Sequence, residues 1–493
     1  MKPHGILLFV LSVFALIGLC WFFFPSGGVQ VGGVKLRFPS YQSYIEGDES
    51  HVKGVDVDSV LISAKKSYDL LQESRDTLSF FHDFLSSNPG RVYVPEGEND
   101  FFDTVFEAME QAARDGRTVR IIHYGDSQLE MDRISSVLRQ ELQERFGGSG
   151  PGMTPMMRKI HSVSVSQSAR GGITRYSLVA DSLSHWTSSH RYGIMTQFAG
   201  MVGGGSYSFR RADNRYVQDR AKHISKVSVL LGHNSPGFSL SLKCDTLKAM
   251  TEVLDSSING PVVVSWKLPV DVAKGTISFS GNAEIYGIML DGEPGVTVDN
   301  VALRGCSGTV FTGIDSTLMK ESFKATETKM IILQFGGNAM PGIGSSKSIS
   351  SYVNKMDIQF EYFKKVAPDA RLLFVGPADM SKSVDGHLIS WPRLSELNDS
   401  LRVHCLENGV AFWDTFNVMG GPGSMREWVN HNPPLAGPDY IHFTTKGAEE
   451  IGRYLSRSLL VYDDFRRIRD KLSDAVVNEY LDTVRTQTDT LAR

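Results

Sequence analysis

The chain has 493 residues, 41% hydrophobic and 22% charged, with a net charge of −4. That length supports more than one domain with a sizeable core, and the absence of a basic excess argues against a nucleic-acid binder. Cys20, Cys244, Cys306 and Cys405 lie far apart and no histidines cluster, which excludes a zinc-type pattern and a disulfide framework. The only bridge the spacing leaves to consider is one between Cys244 and Cys306.

Residues 5–24 form an uncharged apolar run of about 20 residues, enough to cross a hydrocarbon core. The run ends in Trp21-Phe22-Phe23-Phe24-Pro25 without a small-residue cleavage site, and Leu19 before Cys20 suits a lipoprotein site poorly. An uncleaved membrane anchor over residues 1–27 is therefore expected in preference to a cleaved signal peptide. Lys2 precedes the run and Lys35 and Arg37 follow it, so charge does not set its orientation. The very short head and large body favour export of the body. Residues 28–100 read as a stalk followed by a helix, with Leu61, Ala64, Tyr68, Leu71, Leu78 and Leu85 at near-heptad spacing. Arg75 interrupts that seam, so packing on the main domain is expected over a coiled coil. Asn88-Pro89-Gly90 ends the helix. Phe102, Val105, Phe106 and Met109 then predict an amphipathic helix.

Residues 119–148 carry the central pattern. Val119, Ile121 and Ile122 form a short buried strand, Gly125-Asp126-Ser127 a turn, and Ile134, Val137, Leu138 and Leu142 a helix closed by Gly147-Gly148. This places Ser127 at the carboxyl end of a strand and the start of a helix, where α/β sheets bind ligands and free N–H groups meet anions. Between 159 and 299 helical periodicity gives way to short alternating runs at 162–166, 226–232, 238–243, 261–268, 276–281 and 284–290. These predict an all-β insertion of sandwich or jelly-roll type. Trp186, Tyr192, Tyr207 and Trp266 could stack on sugar rings, although a core position is the more economical reading for each. Gly203-Gly204-Gly205 reads as a flexible loop and not as a phosphate cradle. From residue 329 strands at 329–335, 371–377 and 410–414 alternate with helices marked by Val353, Met356, Phe360 and Phe363, by Leu394, Leu397, Leu401 and Cys405, and by Ile451, Leu455 and Leu459. Such alternation implies a parallel sheet covered on both faces. Phe465, Ile468, Leu472 and Val476 mark an appended helical tail over 463–493.

A serine hydroxyl needs a base and a group that orients the base. Asp439 and His442, three residues apart in a loop before the 445–460 helix, are the candidates. His123 enters the core on a strand and is expected to pack or to satisfy a backbone carbonyl. His404 and His431 lack a carboxylate at short spacing.

Four blocks occur in order: Gly125-Asp126-Ser127, Gly305, Gly336-Gly337-Asn338, and Asp439-x-x-His442. Together they resemble the SGNH, or GDSL, hydrolase family, over residues 101–158 and 300–462. The resemblance implies a three-layer, flavodoxin-like parallel-sheet domain interrupted by the 159–299 insertion, which is an expected carbohydrate binder. It implies Ser127 as nucleophile, His442 as general base and Asp439 as its orienter. The oxyanion hole would comprise the Ser127 and Gly305 N–H groups and the Asn338 amide, with Gly308 a rival for Gly305. No cofactor or metal is implied. The absence of G-x-S-x-G argues against an α/β-hydrolase elbow. Residues 146–153 and the stretch before Asp439 resemble an envelope-associated bacterial branch that includes peptidoglycan O-acetylesterases. The expected activity is thus hydrolysis of O-acetyl or other small esters on an acylated envelope glycan, by a periplasmic body tethered to the inner membrane. An O-acyltransferase using the same triad and a catalytically silent glycan-binding protein are the alternatives. The oligomeric state is not legible.

Overall fold

The computed structural model describes residues 88–470, together with Ser12, residues 29–31 and 34–36, Phe81, Phe84, Leu85 and Ser87. It divides into two units. The smaller comprises Met1–Gly54 and Ser383–His387, and contains an antiparallel pair of strands, Val29–Val31 and Val34–Leu36. The larger comprises Val55–Lys382 and Leu388–Arg493. Apart from Ser12, the expected spanning run lies outside the described residues; among those described, no helix is long and apolar enough to cross a membrane.

In chain order the larger unit begins with β1 (Val92–Tyr93), α1 (Asp103–Arg114), β2 (Thr118–Gly125), a 3-10 turn (Ser127–Asp132) and α2 (Ser135–Phe146). The insertion supplies β3 (Gly152–Thr154), β4 (Val165–Ser177), β5 (Gln197–Arg211), β6 (Lys226–Asn234), β7 (Phe238–Cys244), β8 (Met250–Leu254), β9 (Val262–Lys267), β10 (Lys274–Ser280) and β11 (Ala283–Asp291). Then follow β12 (Gly295–Ala302), α3 (Ser316–Ala325), β13 (Thr328–Gln334), α4 (Ser346–Val366), β14 (Arg371–Val375), α5 (Leu394–Glu407), β15 (Ala411–Trp413), α6 (Thr415–Val418), α7 (Ser424–Asn430) and α8 (Thr445–Arg469).

The first sheet runs β12-β2-β13-β14-β15-β1, parallel except for β1. Its parallel strands lie in the order 2-1-3-4-5, which is the flavodoxin-like order, so the crevice falls between β2 and β13. Alternate side chains go to opposite faces. Ile121, Val298, Ile332, Leu373 and Trp413 share a core with Phe106, Leu138, Leu142 and Leu455 of α1, α2 and α8. Ile122, Tyr124, Leu333, Phe374 and Phe412 share another with Met319, Met356, Phe360, Phe363 and Leu401 of α3, α4 and α5. Three layers result. Phe81 and Phe84 are buried in the first core, and the Phe81 ring lies 5.6 Å from that of Phe465, so this end of the expected 61–88 helix packs on the main domain.

The insertion is one hydrogen-bonded network of nine strands, running β8-β7-β10-β5-β11-β6-β9, with β4 on β5 and β3 on β11. A sandwich or jelly roll was the expectation; the long β5 instead joins the two halves, because its first part pairs β11 and its second pairs β10. Both halves line one core, with Tyr207, Leu240 and Ile277 meeting Val229, Leu231 and Ile285. Gly203-Gly204-Gly205 is not a loop: it lies within β5, opposite a register break in β4 between Gly171 and Ile173. A Cβ on Gly204 would stand 2.5 Å from the Phe279 carbonyl oxygen, so the strands close only over glycine. That glycine run hid β5 from the hydrophobic pattern, and the polar surface strand β8 was hidden likewise.

The insertion sheet already begins at β3, while β12, read as insertion up to residue 299, belongs to the parallel sheet. Entry and exit cross at a neck of glycines. A Cβ on Gly148 would meet the Val296 carbonyl oxygen at 2.2 Å, and one on Gly295 would meet the Gly147 carbonyl carbon at 2.2 Å. Beside the neck a buried guanidinium ties the domains together: Arg120 of β2 pairs with Asp299 of β12 at 2.9 and 3.0 Å and with Asp291 at the end of β11. Two further corrections concern single residues. Cys244 and Cys306 are free thiols, one inside the insertion core and one in the loop after β12, so they form no bridge. The tail read from residue 463 is continuous with α8 to Arg469, because Phe465 and Ile468 extend the same buried stripe; Leu472 and Val476 lie outside the described residues.

Candidate active site

β2 ends at Gly125, and Asp126 caps the following turn by accepting the Gln128 N–H at 2.9 Å. Ser127 opens a 3-10 turn and not the α-helix. Positive φ angles of 65° and 67° at Met131 and Asp132 break the turn, and α2 starts only at Ser135. Ser127 thus stands on the 3-10 turn, eight residues before the first residue of α2.

The base reaches it from 315 residues away. His442 Nε2 lies 2.8 Å from Ser127 Oγ, and His442 Nδ1 lies 2.7 Å from Asp439 Oδ2. Asp439 Oδ1 also accepts the Ile441 and His442 N–H groups at 3.1 and 3.0 Å, which folds the loop around the carboxylate. Burial pushes the Asp439 carboxyl up, but the bonds from the His442 ring and from these N–H groups outweigh it and hold the value low. Asp439 therefore stays ionised and keeps Nδ1 as the protonated nitrogen, leaving Nε2 free to accept. The His442 and Asp439 side chains are 39% and 49% exposed, so water reaches the base.

Asn338 stands on the turn after β13, across the crevice from Ser127. Its Nδ2 donates to Asp126 Oδ2 at 3.1 Å and to the Cys306 carbonyl at 3.3 Å. Asp126 is buried beneath it, and burial pushes its carboxyl up to about 6, against bonds from the Gln128 N–H and Asn338 and the field of His442. Gly305 lines the cleft with Ser127, Asn338, Asp439 and His442, in a space of about 670 Å³. Gly308 does not line it; its N–H donates to Cys306 Sγ at 3.3 Å, and a Cβ there would meet the Phe335 ring at 2.7 Å. The structure thus brings together all five residues expected from sequence. Among the described residues no group of acidic, histidine or cysteine side chains could hold a metal ion.

Other groups were not singled out from sequence. Gln128 clamps the histidine loop from both sides, donating to the Ile441 carbonyl at 2.7 Å and accepting the Phe443 N–H at 3.2 Å. Arg133 donates to the Phe443 carbonyl at 2.6 Å. Glu130 and Arg304 form a two-pronged ion pair, 2.5 Å in each arm, across the cleft wall. The position of Gln128 next to the serine was the available signal; the Glu130 and Arg304 pair, 174 residues apart, offered none.

The three other histidines weighed from the sequence have structural contacts. His123 packs in the core, the first of its two expected readings, fully buried between Gln334 Oε1 at 3.1 Å and Ser135 Oγ at 3.0 Å, which take the place of a backbone carbonyl. Burial drives its imidazole down to about 3, so it stays neutral. His404 does find a carboxylate, Asp357, at 2.9 Å, from a neighbouring helix. His431 Nδ1 lies 2.8 Å from the Pro433 carbonyl. Of the four aromatics considered for sugar stacking, Tyr192, Tyr207 and Trp266 are buried, whereas Trp186 is 67% exposed.

Among solved structures, a peptidoglycan O-acetylesterase aligns over 73% of this chain and 96% of its own, with a TM-score of 0.57 and 22% identity. The chain shares the fold of that protein. A family two carbohydrate esterase from Cellvibrio japonicus aligns over 61% of this chain and 99% of its own, at 12% identity; its TM-score of 0.25 adds nothing to the fold assignment. No family model and no curated protein sequence matches the chain.

Proposed function

We propose that the chain is a serine esterase that removes acyl groups, O-acetyl above all, from an envelope polysaccharide through an acyl-enzyme. The observation that carries this is the line from Ser127 Oγ to His442 Nε2 at 2.8 Å and from His442 Nδ1 to Asp439 at 2.7 Å, at the sheet's switch point. Ser127 Oγ attacks the ester carbonyl carbon and its proton passes to His442 Nε2. The carbonyl oxygen becomes an oxyanion, held by the Ser127 and Gly305 N–H groups and by Asn338. A charged acceptor outcompetes the neutral Cys306 carbonyl, so the amide keeps its bond to Asp126 and turns its other hydrogen to the oxyanion. The intermediate collapses as the bond to the sugar oxygen breaks, and His442 returns the proton to the leaving hydroxyl. Water then attacks acyl-Ser127 with His442 again as base, releasing acetate. No metal or cofactor takes part in these steps.

The glycan substrate is supported by the shared fold with a peptidoglycan O-acetylesterase and by the open cleft. In the insertion the exposed Trp186 is the candidate for stacking on a sugar ring. The uncharged run at residues 5–24 supports a single-pass inner-membrane anchor with the catalytic body in the periplasm. The test is acetate release from O-acetylated glycan and from 4-nitrophenyl acetate by the full chain, beside Ser127→Ala and His442→Ala. Loss of at least 10³-fold in kcat is expected in both. Equal rates in all three proteins would refute the mechanism. Transfer of acetyl to an added sugar in preference to water would convert the assignment to an acyltransferase.

A further inference from the structure

A second cavity, about 270 Å³, lies where the inserted sheet meets the end of β12. Glu130, Met131 and Arg304 line both this cavity and the catalytic cleft, so the two share a wall. Its other charged lining groups are Arg158, Lys159, Arg175 and Asp181. Their pairing is uneven. Glu130 is taken by Arg304, and Asp181 by Arg175 at 2.7 Å and the Leu183 N–H at 2.8 Å. Asp132, the carboxylate whose field reaches Arg158, is already saturated by Arg139 at 2.9 Å in both arms and by Ser164 Oγ at 2.8 Å. The half-buried Arg158 guanidinium therefore has no hydrogen bond or ion pair among the described residues, and exposed Lys159 stands beside it.

A partly desolvated guanidinium without a partner is costly, and its planar fork fits a carboxylate. We propose that this cavity is a subsite for a carboxylate borne by the glycan next to the acylated position, with Arg158 as its ion-pairing partner. This rests on the esterase reading above. The cavity has room for one substituent and not for a polymer, which suits a group projecting from a chain that lies along the cleft. A uronic acid ring and the lactyl or peptide carboxylate of a muramyl unit offer the same chemistry.

The test measures binding separately from catalysis. De-O-acetylated oligouronate, a muramyl oligosaccharide and a neutral oligosaccharide of matched length are titrated by calorimetry into the full chain carrying Ser127→Ala. At least one acidic ligand should bind roughly ten- to a hundredfold more tightly than the neutral one, the range of a charge-assisted bond. That ratio should fall toward one when Arg158→Gln is added, and return in part with Arg158→Lys, which keeps the charge without the fork and also guards against misfolding. The acidic arm that responds identifies the source of the carboxylate. Equal affinity for acidic and neutral ligands, or a ratio unchanged by Arg158→Gln, overturns the subsite. Failure of the parent chain to release acetate from any ester would instead overturn the esterase reading while leaving the binding result standing.

Discussion

Replacing Asn338 by alanine tests the chemistry at the residue whose role the resting structure displays least directly. Both hydrogens of its amide are engaged, at 3.1 Å to Asp126 and 3.3 Å to the Cys306 carbonyl, so the donor is held at the cleft before any charge develops. A preorganised donor of this kind is worth about 10²–10³ in kcat, or about 2.7–4 kcal/mol of the barrier. The ground-state carbonyl uses it weakly, so KM should move less than about threefold. There is a structural cost too. Asp126, only 6% exposed, loses one of its hydrogen bonds, which should cost about 1–3 kcal/mol of stability. Steady-state hydrolysis of 4-nitrophenyl acetate, normalised to folded protein by circular dichroism at a temperature below the lowered transition, separates the two effects. Normalised kcat within threefold of the parent, or a rise in KM alone, would refute the oxyanion role.

Gln128→Ala should lower kcat about tenfold by freeing the His442 loop, while Gln128→Glu, which keeps an acceptor for the Phe443 N–H, should lose less; equal losses would refute the two-sided clamp. Asp126 has a raised folded-state value, so its stabilising contribution is full below the ordinary carboxylate value of 3.8 and is lost as pH rises through about 6. In urea titrations from pH 4 to 7, Asp126→Asn should therefore gain on the parent by up to about 3 kcal/mol, and a gap independent of pH would count against the buried charge. Arg120→Ala leaves Asp291 and Asp299 buried together without their cation and should cost about 3–5 kcal/mol; a denaturation midpoint within error of the parent would show that the triad is not needed.

The parallel sheet was legible because its strands are buried on both faces and read as continuous apolar runs. The candidate site residues were legible because each sits in a short block, with Ser127, Gly305 and Asn338 just after strands and Asp439 and His442 in the loop that leads into α8. What escaped was set by long-range contact. Gln128 and Arg133 show their roles only once the His442 loop has folded back over 300 residues of chain. β5 was hidden because its glycines serve the close approach of β10, a fact about a neighbouring strand. The α-helical start assigned to Ser127 failed for a local reason: the run Glu130-Met131-Asp132 carries ordinary residues, and nothing in their types announces two positive φ angles. Arg158 looked like one basic residue among many until its surroundings showed every nearby carboxylate already paired.

The glycine neck has a consequence for how the chain assembles. β2 and β12 are neighbours in space although the whole insertion separates them in sequence, so the edge of the parallel sheet cannot form until the inserted strands have brought their two ends together. A folded insertion closes that long loop in advance, leaving only a short closure for β12 to dock. The closing step of the parallel sheet is thus tied to a crossing of two backbone segments, at glycines where no side chain fits.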